Sequence, residues 1–89
     1  MKFVKNVQWR SEKFGAVIFD TLNEKVYVTN DTGDDILRLV ADGLDVRALT
    51  ERLQEEYLGD EAEIDAAVAE FVSELQSAGL LAGEGEGGA

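Results

Sequence analysis

Two hydrophobic patterns meet in Lys25-Val26-Tyr27-Val28-Thr29-Asn30-Asp31-Thr32-Gly33-Asp34-Asp35-Ile36-Leu37. After the lysine, the first residues are β-branched or aromatic, which is typical of a strand. From Asn30 onward the apolar residues recur at helical spacing, and Asn30, Asp31 or Thr32 can cap the start of a helix. This point therefore divides a strand region from a helical region.

The strand region contains three runs. Residues 15–20 are an apolar run of strand length, and a polar connection of hairpin length, residues 21–24, joins them to residues 25–29. Residues 7–10 alternate and are expected to pair with one edge of this hairpin. Three aromatic side chains, Trp9, Tyr27 and Phe71, can stack on a ligand, but packing in the core is the favoured interpretation. Phe14 and Phe19 are likewise expected in the core.

Three amphipathic helices are predicted after this region. Asp45 caps the second, and Asp60 followed by Glu63 opens the third in a capping-box pattern. A glycine, which accepts the left-handed conformation, is expected to end each helix. These glycines are Gly43, Gly59 and Gly79. The apolar stripes are Ile36, Leu37, Leu39 and Val40, then Val46, Leu49, Leu53 and Tyr57, and finally Ile64, Val68, Phe71, Leu75 and Ala78.

The order of elements predicts an α+β domain over residues 1–81. Three N-terminal antiparallel β-strands are followed by three α-helices that cover one face of the sheet, a winged helix-turn-helix-like arrangement. Residues 82–89 are rich in glycine and glutamate and lack an apolar anchor, so this tail is predicted to be disordered.

Composition limits the chemistry of this 89-residue chain. It has no cysteine, which excludes disulfides and thiolate metal sites, and no histidine, the commonest general base. The serines lie in no catalytic motif, and residues 30–35 lack the spacing of a calcium-binding EF-hand loop. We therefore predict no catalytic residue, no metal ligand and no cofactor, so that the chain is not an enzyme.

The charge is unevenly placed. Residues 1–30 carry five Lys/Arg and three Asp/Glu, whereas residues 31–89 carry three Lys/Arg and sixteen Asp/Glu. Nucleic acids and anionic membranes repel such a surface, because binding them depends on cationic side chains. The acidic face either keeps the protein soluble or docks a basic partner. The N-terminus lacks the apolar run of a signal peptide, and a cytoplasmic location is expected.

An open sheet edge is the main feature that points to function. Residues 25–29 are predicted to form an edge strand, with the third helix beside it. An edge and an apolar helix together can bind an extended peptide as an added strand. The alternative interpretation is a solvated edge with no guest.

A family resemblance favours the first interpretation. Residues 7–20, the segment 25–33 and the closing pattern of Phe71, Leu75 and Gly79-Leu80-Leu81 resemble PqqD-like proteins, and the likeness extends over about residues 5–81. Many relatives have a leucine before the asparagine, where this chain has Thr29.

The resemblance implies a peptide chaperone, also called a RiPP recognition element. Such a protein binds the leader region of a ribosomally synthesised precursor peptide and presents it to a modifying enzyme, often a radical SAM protein. The peptide-binding residues implied are Lys25, Val26, Tyr27, Val28, Thr29, Val68, Phe71, Val72 and Leu75. A monomer or weak homodimer is expected, since an open edge can pair with a second copy.

Three other functions are less favoured. A winged-helix nucleic-acid-binding domain would need cations on its third helix, and residues 60–81 contain no Lys or Arg. An acidic carrier protein would need an Asp-Ser-Leu triplet, which the sequence lacks. Another kind of protein-interaction domain is the remaining alternative.

Overall fold

A computed structural model describes residues 1–82, in which five strands and three helices are formed. In chain order they are β1 (Lys2–Phe3), β2 (Val7–Glu12), β3 (Gly15–Asp20), β4 (Lys25–Thr29), α1 (Asp31–Ala41), α2 (Val46–Glu56), α3 (Glu61–Ser77) and β5 (Leu81–Ala82). The predicted α+β fold is confirmed. None of the helices in this part of the chain is both long and apolar enough to cross a membrane.

The three predicted strands form one antiparallel sheet in the order β2-β3-β4. Trp9, Ile18 and Tyr27 lie opposite one another across it and point toward the helices. Side chains alternate between the two faces of a strand, so Val17 and Phe19 lie on the outer face.

Two of the five aromatic predictions are wrong. Phe14 belongs to the two-residue turn between β2 and β3 and is 54% exposed, because a tight turn directs its side chains away from the sheet. Phe19 is only half-buried on the outer face, where the Arg10 guanidinium lies 5.6 Å from the ring centre. Trp9, Tyr27 and Phe71 pack against the core as expected.

The sequence did not predict a two-stranded ribbon, in which β1 near the N-terminus pairs with β5 after α3. Lys2 pairs with Ala82 and Phe3 with Leu81, and the Val4 amide donates to the Leu80 carbonyl at 3.0 Å. Ala82, which the sequence assigns to the tail, is thus part of β5. Residues 83–89 lie outside the described part of the chain, so their predicted disorder stays a prediction.

Side-chain caps fix the start of each helix. Among the three candidates for α1, Asn30 is the cap: its side-chain oxygen accepts from the Gly33 amide at 2.9 Å. Asp45 and Asp60 cap α2 and α3 as predicted. The predicted end of α2 is wrong, because the helix stops in the extended residue Tyr57, ahead of Gly59.

The core lies between the inner face of the sheet and the apolar sides of the helices. Burial of each large aliphatic side chain contributes about 1.5–3 kcal/mol. The residues with at most 1% of their surface exposed are Ala16, Ile18, Ile36, Leu37, Val40, Leu49, Leu53, Val68 and Leu80.

Two glycines allow the end of β4 to pack closely against its neighbours. Gly15 has a φ of 147°, and a Cβ there would lie 2.0 Å from the Thr29 carbonyl oxygen. A Cβ on Gly33 would lie 1.9 Å from Thr29 Oγ1. Because neither glycine has a side chain, β3 and α1 can both lie close to Thr29, and this close packing fixes the position of the edge strand.

Candidate peptide-binding site

β4 is an edge strand whose outer side has no partner strand within residues 1–82. Thr21, the residue after β3, donates its amide to the carbonyl of Asn6, the residue before β2, at 3.0 Å. Hydrogen-bonding direction alternates along an antiparallel strand, so the odd-numbered residues of β3 bond to β2 and the even-numbered residues bond to β4. Ile18 and Tyr27 are therefore a hydrogen-bonded pair, and the backbone amides and carbonyls of Val26 and Val28 point to the free edge.

A groove of about 440 Å³ separates this edge from α3. Its walls are mainly apolar and come from both sides of the gap. The lining residues are Ile18, Tyr27, Val28, Thr29, Asn30, Phe71, Glu74, Leu75, Ala78 and Leu80. An unpaired strand edge beside an apolar groove has the two parts that strand addition requires: backbone donors and acceptors, and a place for alternate side chains.

The structure brings five of the nine predicted site residues to this groove. These are Tyr27, Val28, Thr29, Phe71 and Leu75. Lys25 and Val26 lie on the exposed edge before the groove. Val68 and Val72 are 1% and 4% exposed, belong to the core and do not line the groove. Leu75 is equally buried, at 4%, but it also borders the groove.

Several groove residues were not predicted from the sequence. Glu74 and Ala78 lie three and seven positions after Phe71, so helical spacing is the signal that could have assigned them to the same side of α3. Asn30 was identified only as a cap, although it also lines the groove.

A smaller cavity of about 240 Å³ continues the groove beyond the end of β4. It shares Asn30, Phe71 and Glu74 with the groove, so Phe71 stands between the two spaces. The remaining lining residues are Thr32, Gly33, Ile36, Ala67 and Glu70.

The groove is electrostatically asymmetric. Glu70 and Glu74 are exposed on α3, which contains no Lys or Arg, whereas Lys25 begins β4 at the hairpin end. Neither glutamate takes part in an ion pair within the described residues. An occupant of the groove would therefore meet negative charge near the N-terminus of α1.

The polar clusters elsewhere in residues 1–82 serve the fold. Ser11 donates to Asp34 at 2.6 Å, and Arg38 donates to both Ser11 and Asp34, at 2.8 and 3.0 Å. This closed network ties β2 to α1 and engages the Ser11 hydroxyl as both donor and acceptor. In the same part of the chain no group of three or more His, Cys, Asp or Glu side chains could hold a metal ion.

Comparison with known proteins gives one family match and two structural ones. The family model described as Coenzyme PQQ synthesis protein D (PqqD) matches residues 15–81. No curated protein matches the chain. The structure of TbiB1 in complex with the TbiA(beta) leader peptide is similar with a TM-score of 0.85 and 19% identity, over 93% of this chain and 96% of that one. Lasso peptide synthetase B1 complexed with the leader peptide has a TM-score of 0.77 and 20% identity, over 89% and 93%.

Proposed function

The chain belongs to the PqqD family, and on that premise we propose that it is a peptide chaperone for the leader region of a ribosomally synthesised precursor. The leader adds as a strand to the free edge of β4, and its alternate side chains enter the groove beside α3. The observation that carries this proposal is the outward direction of the Val26 and Val28 backbone groups next to an apolar groove.

The energetics of such a complex are adequate. Val26 and Val28 together offer two amides and two carbonyls, and each hydrogen bond contributes about 0.5–1.5 kcal/mol net. Two apolar guest side chains buried in the groove add roughly 1.5–3 kcal/mol each. After the cost of ordering the guest, binding in the micromolar range or tighter is expected.

Structural likeness supports the same mode of binding. Both similar structures are named as complexes with leader peptides. The groove residues Tyr27, Val28, Thr29, Phe71 and Leu75 form the contact surface in this proposal, with Lys25 and Val26 extending it along the edge. Val68 and Val72 support α3 from the core side.

The protein acts without chemistry of its own. It presents the bound precursor to a modifying enzyme, for which a radical SAM protein is one candidate class. Residues 1–82, which include β5, form the peptide-binding domain, and residues 83–89 follow it. A role in nucleic-acid binding has less support, because α3 carries no cation that could contact a phosphate.

A titration tests the proposal directly. The leader peptide of a precursor encoded beside the gene is labelled with a fluorophore, and its anisotropy is followed as the folded protein is added. Saturable micromolar binding is expected, and a scrambled peptide of the same composition serves as the control. Equal binding of both peptides, or of neither, would contradict the proposal.

A further inference from the structure

We propose that the cavity beyond the end of β4 is a subsite for a lysine or arginine side chain of the guest peptide. The inference rests on the proposed function and adds a specificity element to it. Glu70 and Glu74 supply the negative charge, and Phe71 separates this subsite from the apolar groove.

The shape and lining of the cavity fit a long cationic side chain. Ile36, Ala67 and Phe71 form apolar walls, which suit the aliphatic stem of lysine or arginine. Glu70 and Glu74 are exposed, so they can meet the charged end of the stem while it stays near water. The cavity of about 240 Å³ has room for one lysine or arginine side chain.

The two carboxylates are free to take a new partner. No ion pair within residues 1–82 involves either of them, and α3 offers no cation of its own. A cationic guest therefore gains interactions with both glutamates without displacing an existing partner.

The N-terminus of α1 opposes a cation, but it is outweighed. A helix N-terminus carries about half an elementary positive charge. The Gly33 amide at this terminus already donates a hydrogen bond to the Asn30 side chain. Asp31 also places a formal negative charge in the first turn of α1. Glu70 and Glu74 are the two formal negative charges that line the cavity, and together they exceed the half charge of the helix terminus, so the local field favours a cation.

Strand geometry fixes where the cation must lie in the guest. Side chains on one face of a strand recur at every second residue. A guest residue that fills the groove near Leu75 is therefore separated by a short constant interval, two positions in a regular strand, from the residue that reaches the cavity. The expected guest peptides contain an apolar residue with Lys or Arg at that interval before or after it.

Selection from a displayed library of random dodecapeptides tests this inference. On the wild-type protein, enriched peptides should carry Lys or Arg at a constant distance from a large apolar residue. Changing that basic residue to Gln should weaken binding about three- to tenfold, as expected for partly exposed ion pairs. With Glu70→Gln/Glu74→Gln this penalty should fall below about twofold, and Glu70→Lys/Glu74→Lys should select Asp or Glu at the same position.

Glu51→Gln/Glu55→Gln is the matched control. It removes the same charge at the same spacing from an exposed side of α2, so it should leave the preference for Lys or Arg unchanged. Peptides that bind at Val26 and Val28 without a preference for a basic residue would overturn the subsite alone. The subsite would also be overturned if Glu51→Gln/Glu55→Gln reduced the preference for Lys or Arg as much as Glu70→Gln/Glu74→Gln does. Failure to enrich any peptide that perturbs the Val26 and Val28 amides would overturn the proposed function as well.

Discussion

Tyr27 is hydrogen-bonded to Ile18 across β3 and β4, and this pairing turns the backbone of the next residue, Val28, toward the free edge. The pairing thus separates two roles within one strand. Tyr27 holds β4 in the sheet, while the backbone of Val28 is available to a guest. Val28 is 68% exposed and its side chain lies on the outer face of the sheet. A substitution at Val28 should therefore have little effect on the core.

Val28→Pro should weaken leader binding about tenfold or more while the domain stays folded. Proline removes the outward amide, which no residue of the sheet uses, and its ring obstructs the approaching strand. Fluorescence anisotropy measures the affinity, and circular dichroism confirms the fold. Val28→Ala keeps the amide and should bind the leader nearly as well as the wild type. A proline variant with unchanged affinity would contradict strand addition at this edge.

Phe71→Ala should reduce leader affinity about tenfold or more, because it removes a large apolar surface from the wall of the groove. Isothermal titration calorimetry gives the affinity, and thermal unfolding shows how much of the protein is folded at the working temperature. Leu58→Ala is the control for loss of an apolar side chain, since Leu58 is fully exposed and lies outside the groove. Equal affinities for the two variants would exclude Phe71 from the contact surface.

Gly33→Ala should destabilise the protein by up to about 2 kcal/mol, the difference between a steric clash and a gain in helix propensity. Alanine favours the helix by up to about 1 kcal/mol, but its Cβ would lie 1.9 Å from Thr29 Oγ1 and 2.8 Å from the Thr29 Cβ. Rotation of Thr29 moves the hydroxyl but leaves its Cβ in place, so the clash, which costs about 1–3 kcal/mol, prevails.

Adding Thr29→Ala to the same protein should recover part of this loss, with a coupling above about 0.5 kcal/mol. Urea unfolding of the four proteins in the cycle measures it. A Gly33→Ala variant that is as stable as the wild type would show that β4 and α1 have room to separate.

The contribution of Asp20 to stability should depend on pH. Its carboxylate accepts hydrogen bonds from Asn6 and from the backbone of Leu22 and Asn23, as well as from the Asn23 side chain. The bonds from Asn23, chiefly from its side chain, lower the pKa of Asp20 below its ordinary value of 3.8. The unfolded chain therefore binds its proton at a higher pH than the folded one. The stabilisation that the ionised Asp20 carboxylate contributes is fully present above about pH 5, and it is lost as the pH falls through the pKa of Asp20 in the folded protein.

Urea unfolding of the wild type and of Asp20→Asn at several pH values tests this dependence. The variant should be less stable near pH 6, and the difference between the two proteins should shrink below pH 3.8. The comparison cancels the titration of the other acidic residues. A difference that stays constant between pH 6 and pH 3 would show that the ionised form of Asp20 is not specifically stabilised.

The longer elements were predictable from the sequence because each has an unbroken pattern and an identifiable end. Residues 15–20 are an apolar run and residues 25–29 a β-branched and aromatic run, joined by a connection of hairpin length, and Asn30, Asp45 and Asp60 cap the helices. β1 and β5 were not predictable, since two residues carry no periodicity. Phe14 was placed wrongly because its hydrophobicity gave no sign of the tight turn that exposes it.

The site was predictable only in outline. The apolar stripe of α3 indicates a buried side but cannot tell which residues face the core and which face a gap. In the structure, Val68 and Val72 lie only in the core, Phe71 lines the groove, and Leu75 belongs to both. The direction of each amide of β4 depends on the register with β3, which composition does not determine.

Amide hydrogen exchange, followed residue by residue by NMR with and without the leader peptide, measures the edge of β4 directly. In the free protein, the amides of Val26 and Val28 should exchange rapidly, while that of Tyr27 is protected by its bond to Ile18. On saturation with leader, Val26 and Val28 should become at least about tenfold slower to exchange, with Tyr27 changing little. Bound leader with unchanged exchange at Val26 and Val28 would contradict the account, because the guest would then lie elsewhere.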